Sequence, residues 1–178
     1  MGQTEEEIKQ SELYQVFVGK KINKSIFRVK GKKMLEYAEA LGDLNPKYVN
    51  VGTKEDGKPD YSTIVAHPSF PNCFSVDAAF DLVGWKFPLK EGQTEPTPFI
   101  TNYGKILHTG QLYDYSNTVK PIKHGQKLYT TGYLKKAFIR KGSLWLEMHQ
   151  DTHTKEGDLV CQSTVEVIFR KGGYSTTN

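Results

Sequence analysis

The stretch that decides the fold is residues 37–48, which read YAEALGDLNPKY. Its first half continues a helix, because apolar residues recur there at helical spacing. Gly42 then ends the helix, as a residue that tolerates a positive φ does. Residues 43–46 form a tight turn, since Asp and Asn bond the backbone ahead of them and proline blocks further helix. The turn therefore holds the carboxylate of Asp43 at a helix end, shortly before the phenol of Tyr48.

The order of residues in this stretch resembles the signature of the MaoC-like hydratase/dehydratase family, which acts on acyl thioesters. The shared pattern is Tyr-Ala-x-x-x-Gly-Asp-x-Asn-Pro. In the family it continues to a His, and the Asp and the His share the catalytic work. This chain keeps the Asp as Asp43 and has Tyr48 in the position of the His. Because a phenol has an ordinary pKa of about 10, tyrosine is a poor general base at neutral pH.

Two further stretches carry the resemblance. Residues 64–71, IVAHPSFP, are similar to the segment that opens the family's central helix, with Pro68 in place of a Gly after the His. Residues 107–113, LHTGQLY, resemble the strand that follows that helix. The resemblance covers about residues 19–169. It implies an α+β hot-dog fold, in which an antiparallel sheet wraps round a long central helix.

The hydrophobic pattern predicts the same architecture. A near-continuous apolar segment at about 70–85 predicts an enclosed helix, with Ser69 as its N-cap. Short turns between long apolar runs predict an antiparallel meander. The four strand-like runs are 106–119, 127–139, 144–153 and 159–169, and two shorter ones are 14–20 and 25–29.

The length of 178 residues suits one domain with a sizeable core. We expect residues 1–12 to form a flexible N-terminus and residues 13–170 to form the hot-dog domain. The polar residues 171–178 are expected to be a disordered tail.

Composition excludes several classes of function. The net charge of +4 is mild, and no basic stripe with interleaved aromatics indicates nucleic acid. No apolar run reaches the length of a membrane span, and the N-terminus is too polar for a secretory leader, so a cytoplasmic protein is expected. Cys73 and Cys161 are predicted to be buried free thiols. His149 and His153 share a strand face without a third ligand, so no metal or other cofactor is expected.

Hydration of an enoyl thioester needs a base that activates water, an acid that protonates C2 and N–H donors for the thioester oxygen. Asp43 is the candidate catalytic residue. The N-terminus of the central helix is the expected source of the N–H donors. The candidate substrate-binding residues are Asn45, Tyr48, His67, Pro68, Ser69, Phe70 and Phe74.

The resemblance also implies a function. Many members of the family pair two hot-dog halves, one with the full signature and one with a degenerate signature that widens the acyl pocket. This chain resembles the degenerate half, made as a separate subunit of a hydro-lyase that acts on enoyl or (3R)-hydroxyacyl thioesters of coenzyme A or acyl carrier protein. A dimer is expected, because a single curved sheet leaves open edges.

Three alternatives remain at this point. The first is a self-sufficient homodimeric hydratase that uses Asp43 with a substitute such as His67. The second is a non-catalytic protein that binds acyl thioesters, and the third is a thioesterase. The sequence alone does not fix the acyl chain length, the carrier or the direction of the reaction.

Overall fold

The computed structural model describes residues 2–176 and contains four α-helices and seven strands within that range. The helices are α1 (Glu5–Glu12), α2 (Gly31–Leu41), α3 (Pro46–Val49) and α4 (Asn72–Ala79). The strands are β1 (Ser25–Arg28), β2 (Gly52–Thr53), β3 (Pro59–Asp60), β4 (Ile106–Asp114), β5 (Lys127–Arg140), β6 (Ser143–His153) and β7 (Leu159–Phe169). Strands β2 and β3 form a small separate hairpin. Within residues 2–176, none of the helices has the length and apolar character that a membrane crossing requires.

The main sheet is antiparallel and has the strand order β1-β5-β6-β7-β4. The predicted α+β class is therefore confirmed, but the four-strand meander is correct only for β5, β6 and β7. Strand β4 pairs with β7 instead of with β5, which follows it in sequence. Tight turns join the consecutive pairs, whereas residues 115–126 connect β4 to β5. That connection is long enough to cross the end of the sheet, so the neighbour in sequence is not the neighbour in space.

Helix α4 is the predicted central helix, and a 3₁₀ segment continues it over Phe80–Gly84. Its inner side is closed off by the sheet, and Phe74 and Ala78 are both under 5% exposed. The predicted N-cap is wrong. Pro71 occupies that position, and the hydroxyl of Ser69 contacts the imidazole of His67 instead of capping the helix.

The core consists of two apolar clusters with a polar layer between them along the strands. The larger cluster contains the rings of Phe17 and Phe99, whose centroids lie 4.2 Å apart. The smaller cluster surrounds Phe70 at the start of α4. In the polar layer, Gln150 donates to the carbonyl of Ser75 at 2.9 Å. In the same layer, the hydroxyl of Ser163 donates to the side chain of Gln150 at 3.0 Å, and the hydroxyls of Thr130 and Thr152 lie 2.9 Å apart.

Residues 2–12 pack on the rest of the protein, contrary to the expected flexible N-terminus, and residue 1 lies outside the described range. Helix α1 has a capping box between Thr4 and Glu7, and the hydroxyl of Ser11 accepts from the N–H of Ile139 in β5 at 2.9 Å. The predicted strand at 14–20 is instead a 3₁₀ turn followed by an extended segment. These contacts cover the free side of β5 beyond the short strand β1.

The C-terminal residues also pack, as far as the structure describes them. Tyr174 is 5% exposed, and its hydroxyl donates to the carbonyl of Gly142 at 3.1 Å. The hydroxyl of Tyr14 donates to the carbonyl of Ser175 at 2.7 Å. The expected disordered tail is therefore wrong for residues 171–175, and residues 177–178 lie outside the described range.

Candidate functional site

The turn after α2 holds Asp43 in a fixed position. Gly42 has a φ of 73°, which lets the helix end in the left-handed conformation that the sequence predicts. One oxygen of Asp43, Oδ1, accepts from the N–H of Asn45 at 3.1 Å. Asn45 in turn caps α3 by accepting from the N–H of Lys47 at 3.2 Å. The second oxygen of Asp43 therefore points away from the turn in a defined direction.

That second oxygen meets His67, which lies 24 residues further along the chain. The distance from Asp43 Oδ2 to His67 Nε2 is 3.3 Å. The other ring nitrogen, Nδ1, accepts from the N–H of Ser69 at 3.1 Å and lies 2.8 Å from its hydroxyl. Since Nδ1 accepts a hydrogen bond, a neutral ring carries its proton on Nε2 and donates it to Asp43. Both nitrogens of the imidazole are thus engaged within the chain.

The backbone N–H groups at the start of α4 are hydrogen-bonded within the protein. Pro68 has no N–H, and the N–H of Ser69 is bound to His67. The N–H of Phe70 donates to the carbonyl of His67 at 2.8 Å, and that of Asn72 donates to the carbonyl of Ser69 at 3.0 Å. From Pro68 to Asn72, each N–H therefore has an acceptor inside the protein. In this conformation the helix start does not present the pair of free donors that a developing oxyanion needs.

Two tyrosines fix the same segment from its carbonyl side. The hydroxyl of Tyr37 donates to the carbonyl of Ser69 at 2.9 Å. The hydroxyl of Tyr115, just beyond β4, donates to the carbonyl of Pro68. Burial raises the pKa of Tyr115 above its ordinary value, so this phenol stays protonated and remains a donor. Helix α2 and the end of β4 together hold the helix start rigidly.

A groove with a volume of about 390 Å³ opens beside this site. Its lining comes from α3, from the segment before α4 and from the connection after β4. The lining residues are Lys47, Tyr48, Val65, Ala66, His67, Pro68, Tyr115, Thr118, Val119, Lys120, Pro121 and Ile122. Tyr48, the residue in the position of the family's His, is only 5% exposed and lies against His67, with the ring centroids 5.0 Å apart.

The structure separates the predicted substrate-binding residues into three groups. Tyr48, His67 and Pro68 line the groove. Phe70 and Phe74 are at most 2% exposed and belong to the smaller apolar cluster of the core. The remaining two have local roles, since Asn45 caps α3 and Ser69 bonds to His67 and Tyr37.

Sequence reasoning missed the half of the groove that follows β4. Tyr115 and residues 118–122 come from the long connection that was assigned partly to a strand. Pro121 lies beyond the predicted run 106–119, so it marks the following turn but gave no signal that the strand ends at Asp114. The predicted free thiols do not add a nucleophile to the site. Burial raises the pKa of Cys161 to about 12 and also raises the pKa of Cys73.

An antiparallel sheet wrapped round a central helix, with a Gly-Asp-x-Asn-Pro turn beside the helix start, defines a hot-dog protein of the MaoC-like class. The chain belongs to the family described as "FAS1-like, dehydratase domain region", which matches residues 16–163. This assignment confirms the resemblance that the three sequence motifs indicated.

The chain is also similar to individual relatives and solved structures. A UPF0336 protein of Streptomyces griseus is 26% identical over 160 residues, covering 89% of this chain and 95% of the relative. Among solved structures, a MaoC-like dehydratase from Rhodospirillum rubrum superposes with a TM-score of 0.56 at 16% identity, covering 89% of this chain and 96% of that one. The HadBC (3R)-hydroxyacyl-ACP dehydratase complex from Mycobacterium tuberculosis gives a TM-score of 0.55 at 17% identity, covering 81% and 90%. At these identities the structural likeness shows the hot-dog fold.

Proposed function

We propose that this chain is the accessory half of a hydro-lyase that hydrates enoyl thioesters or dehydrates (3R)-hydroxyacyl thioesters. In this proposal the chain shapes the acyl pocket, and a hot-dog partner with the intact motif supplies the catalytic Asp and His. The substrate is carried by coenzyme A or an acyl carrier protein. The likeness to HadBC, a complex of two different hot-dog chains, supports a two-chain assembly.

One observation carries the proposal: the polar groups at the catalytic position are already bound to other groups of this chain. The imidazole of His67 is bound on both nitrogens, and Tyr48 stands where the family has its His. A general base needs a free lone pair within reach of the water. The helix start also lacks the donors that stabilise the thioester oxygen. A site whose imidazole is already bound on both nitrogens, and whose helix start offers no free pair of N–H donors, favours binding over turnover.

The direct test compares the chain alone, the partner alone and the reconstituted complex in a hydration assay with a crotonyl thioester. The partner is the hot-dog protein with the intact motif that co-purifies with this chain from its native source. We expect the isolated chain to be weak or inactive, because a positioned acid–base group is worth about 10²–10⁴ in rate. Full activity of the partner alone toward the crotonyl thioester would contradict an accessory role.

A second candidate is the homodimeric hydratase that uses Asp43 with His67. The contact of 3.3 Å between their side chains favours it, because it places an imidazole beside the carboxylate. For turnover, His67 would have to release Ser69 so that Nδ1 becomes free. Efficient turnover by the purified chain alone would select this candidate.

The partner would dock at the edge strand β4. Strand β4 has a hydrogen-bonded neighbour, β7, on one side only within the described residues. At the opposite side of the sheet, the short strand β1 pairs with part of β5, and the N-terminal segment bonds to a further part of β5. Gly19, for example, donates its N–H to the carbonyl of Leu134 in β5 at 2.8 Å. Pairing two open edges removes part of the aggregation liability of each.

We therefore expect Leu112→Glu in β4 to weaken association, because Leu112 is 62% exposed on the open edge. Burial of a leucine is worth about 1.5–3 kcal/mol, which corresponds to about 10–100-fold in the dissociation constant. Sedimentation of the chain alone and with its partner measures the effect. The matched control is Ile26→Glu on the four-residue strand β1 at the opposite edge of the sheet, where the side chain is 51% exposed. Equal effects of the two variants would contradict the assignment. So would wild-type chains that sediment as monomers both alone and with the partner.

A further inference from the structure

We infer that Ser69 is a nucleophile that takes the acyl group from an acyl thioester, with His67 as its general base. The inference rests on the proposed function only for the class of acyl donor. It adds a reaction that hydration does not include, because the acyl group moves from sulfur to a side chain of this protein. Asp43 acts through His67 and is therefore a positioning residue.

Hydrogen bonds connect four side chains in a row at the start of α4. The hydroxyl of Tyr37 donates to the carbonyl oxygen of Ser69 and lies 3.2 Å from its Oγ. That Oγ lies 2.8 Å from Nδ1 of His67, whose Nε2 lies 3.3 Å from the carboxylate of Asp43. A neutral ring carries its proton on Nε2, so the lone pair on Nδ1 accepts from the hydroxyl of Ser69. The imidazole is therefore placed to remove the proton of this hydroxyl.

The distances match the arrangement that activates a serine nucleophile. In such sites the nucleophile and the base lie about 2.6–3.2 Å apart, and a third group orients the base. These sites are recognised by geometry and roles, whatever the order of the residues in the sequence. Ser69 and His67 are close in sequence, and a local turn alone accounts for their contact. The carboxylate of Asp43 comes from the turn after α2, so the third contact depends on the packing of α2 against the start of α4.

A ligand in the neighbouring groove comes close to this serine. The two residues before it, His67 and Pro68, line the groove, and Ser69 itself is only partly buried. The hydroxyl of Tyr115 donates to the carbonyl of Pro68, which holds the backbone between the base and the nucleophile in place. The nucleophile is therefore both positioned and near the groove.

The reaction moves the acyl group in two steps. Oγ of Ser69 attacks the carbonyl carbon of the thioester while Nδ1 of His67 takes the hydroxyl proton. The bond from carbon to sulfur then breaks, and Nδ1 returns the proton to the departing sulfur. The products are an ester of Ser69 and a free thiol. Between the two steps, the carboxylate of Asp43 stabilises the imidazolium.

The ester should persist, because the site does not favour its hydrolysis. Within residues 68–72, the backbone N–H groups already have acceptors inside the protein, and Tyr37 is the side-chain donor beside Oγ. A single donor stabilises an oxyanion less than a preorganised pair does. In the ester, the N–H of Ser69 still donates to Nδ1 of His67, so the ring offers no free lone pair to an attacking water. We therefore expect one acyl group per chain instead of turnover.

The test incubates the purified chain with butyryl-coenzyme A and follows the mass of the intact protein. This thioester has no double bond to hydrate, so acyl transfer is measured independently of hydration. We expect one butyryl group per chain, located at Ser69 by peptide fragmentation, and none in Ser69→Ala. The matched control is Ser62→Ala, because the exposed hydroxyl of Ser62 donates to the carboxylate of Asp60 instead of to an imidazole. This variant should be acylated like the wild type.

Two further variants test the roles of the imidazole and the carboxylate. His67→Ala should slow the acylation by about 10²–10⁴, and added imidazole should restore part of the rate, which a purely structural role does not predict. Asp43→Asn should lower the maximal rate by at least about tenfold. It should leave the half-saturating concentration of butyryl-coenzyme A unchanged, because the carboxylate contacts the base and not the ligand.

Absence of the butyryl group from Ser69 in the wild type would overturn the inference. So would a folded His67→Ala chain whose acylation is not restored by imidazole, and this second readout holds even where Ser69→Ala does not fold. Either result leaves the proposed function standing, since hydration by the complex does not need an ester of Ser69. An inactive reconstituted complex would instead overturn the proposed function and leave the acylation of Ser69 as measured.

Discussion

In the reconstituted complex, Asp43→Asn in this chain should lower the hydration rate by less than about tenfold, whereas loss of the partner's catalytic Asp or His should lower it by about 10²–10⁴. The difference follows from the bonds of Asp43. Its two oxygens accept from the N–H of Asn45 and face the ring of His67, so the carboxylate holds the turn against the helix start. Asparagine retains one oxygen for one of these contacts. We therefore expect a modest positional effect.

His67→Gln is the companion variant. It removes the imidazole but keeps a side chain that can hydrogen-bond, so the accessory role predicts a similarly small effect. Initial rates with a crotonyl thioester, measured at saturating partner, give both values. If the chain alone is efficient, and Asp43→Asn and His67→Gln each abolish its activity, the accessory role is wrong. The homodimeric enzyme with an Asp43–His67 pair then replaces it.

The pairing of Asp43 with His67 shows where sequence reasoning ends. The turn at 42–46 was predictable, because Gly, Asp, Asn and Pro each have a specific backbone preference. The position of Tyr48 in the groove also followed from the family pattern. The distance between Asp43 and His67 did not, since it depends on how α2 and the start of α4 pack. From the sequence, His67 was only one possible substitute for the family's catalytic His.

The sheet shows the same limit. Strands β5, β6 and β7 followed from apolar runs with short turns between them, which force antiparallel neighbours. The place of β4 did not follow, because a connection of the length of residues 115–126 allows either edge of the sheet. The sequence also predicts a strand to residue 119, whereas β4 ends at Asp114. The part of the groove after β4 was missed for this reason.

The polar ends of the chain were misread for a different reason. Low hydrophobicity over a few residues predicts disorder, but a single buried ring can hold such a segment. Tyr174 is that ring in the C-terminal segment, and its centroid lies 6.0 Å from that of Tyr14. Nothing in the composition of residues 171–178 separates one tyrosine that packs from one that does not. The contact depends on the loop before Ile100, which forms a bridge with Tyr174.

Removing residues 174–178 should destabilise the protein by about 3–5 kcal/mol, the usual cost of deleting a large buried aromatic side chain. The truncation removes the ring of Tyr174 and leaves the buried hydroxyl of Tyr14 without the carbonyl of Ser175. It also removes the N–H that Ser175 donates to the carbonyl of Phe99 at 3.1 Å. Urea unfolding of the full chain and the truncated chain measures the difference, and Tyr103→Ala, at an aromatic that is 66% exposed, is the control. A truncated chain as stable as the full one would restore the disordered tail, because a segment that makes no contacts contributes nothing to the free energy of unfolding.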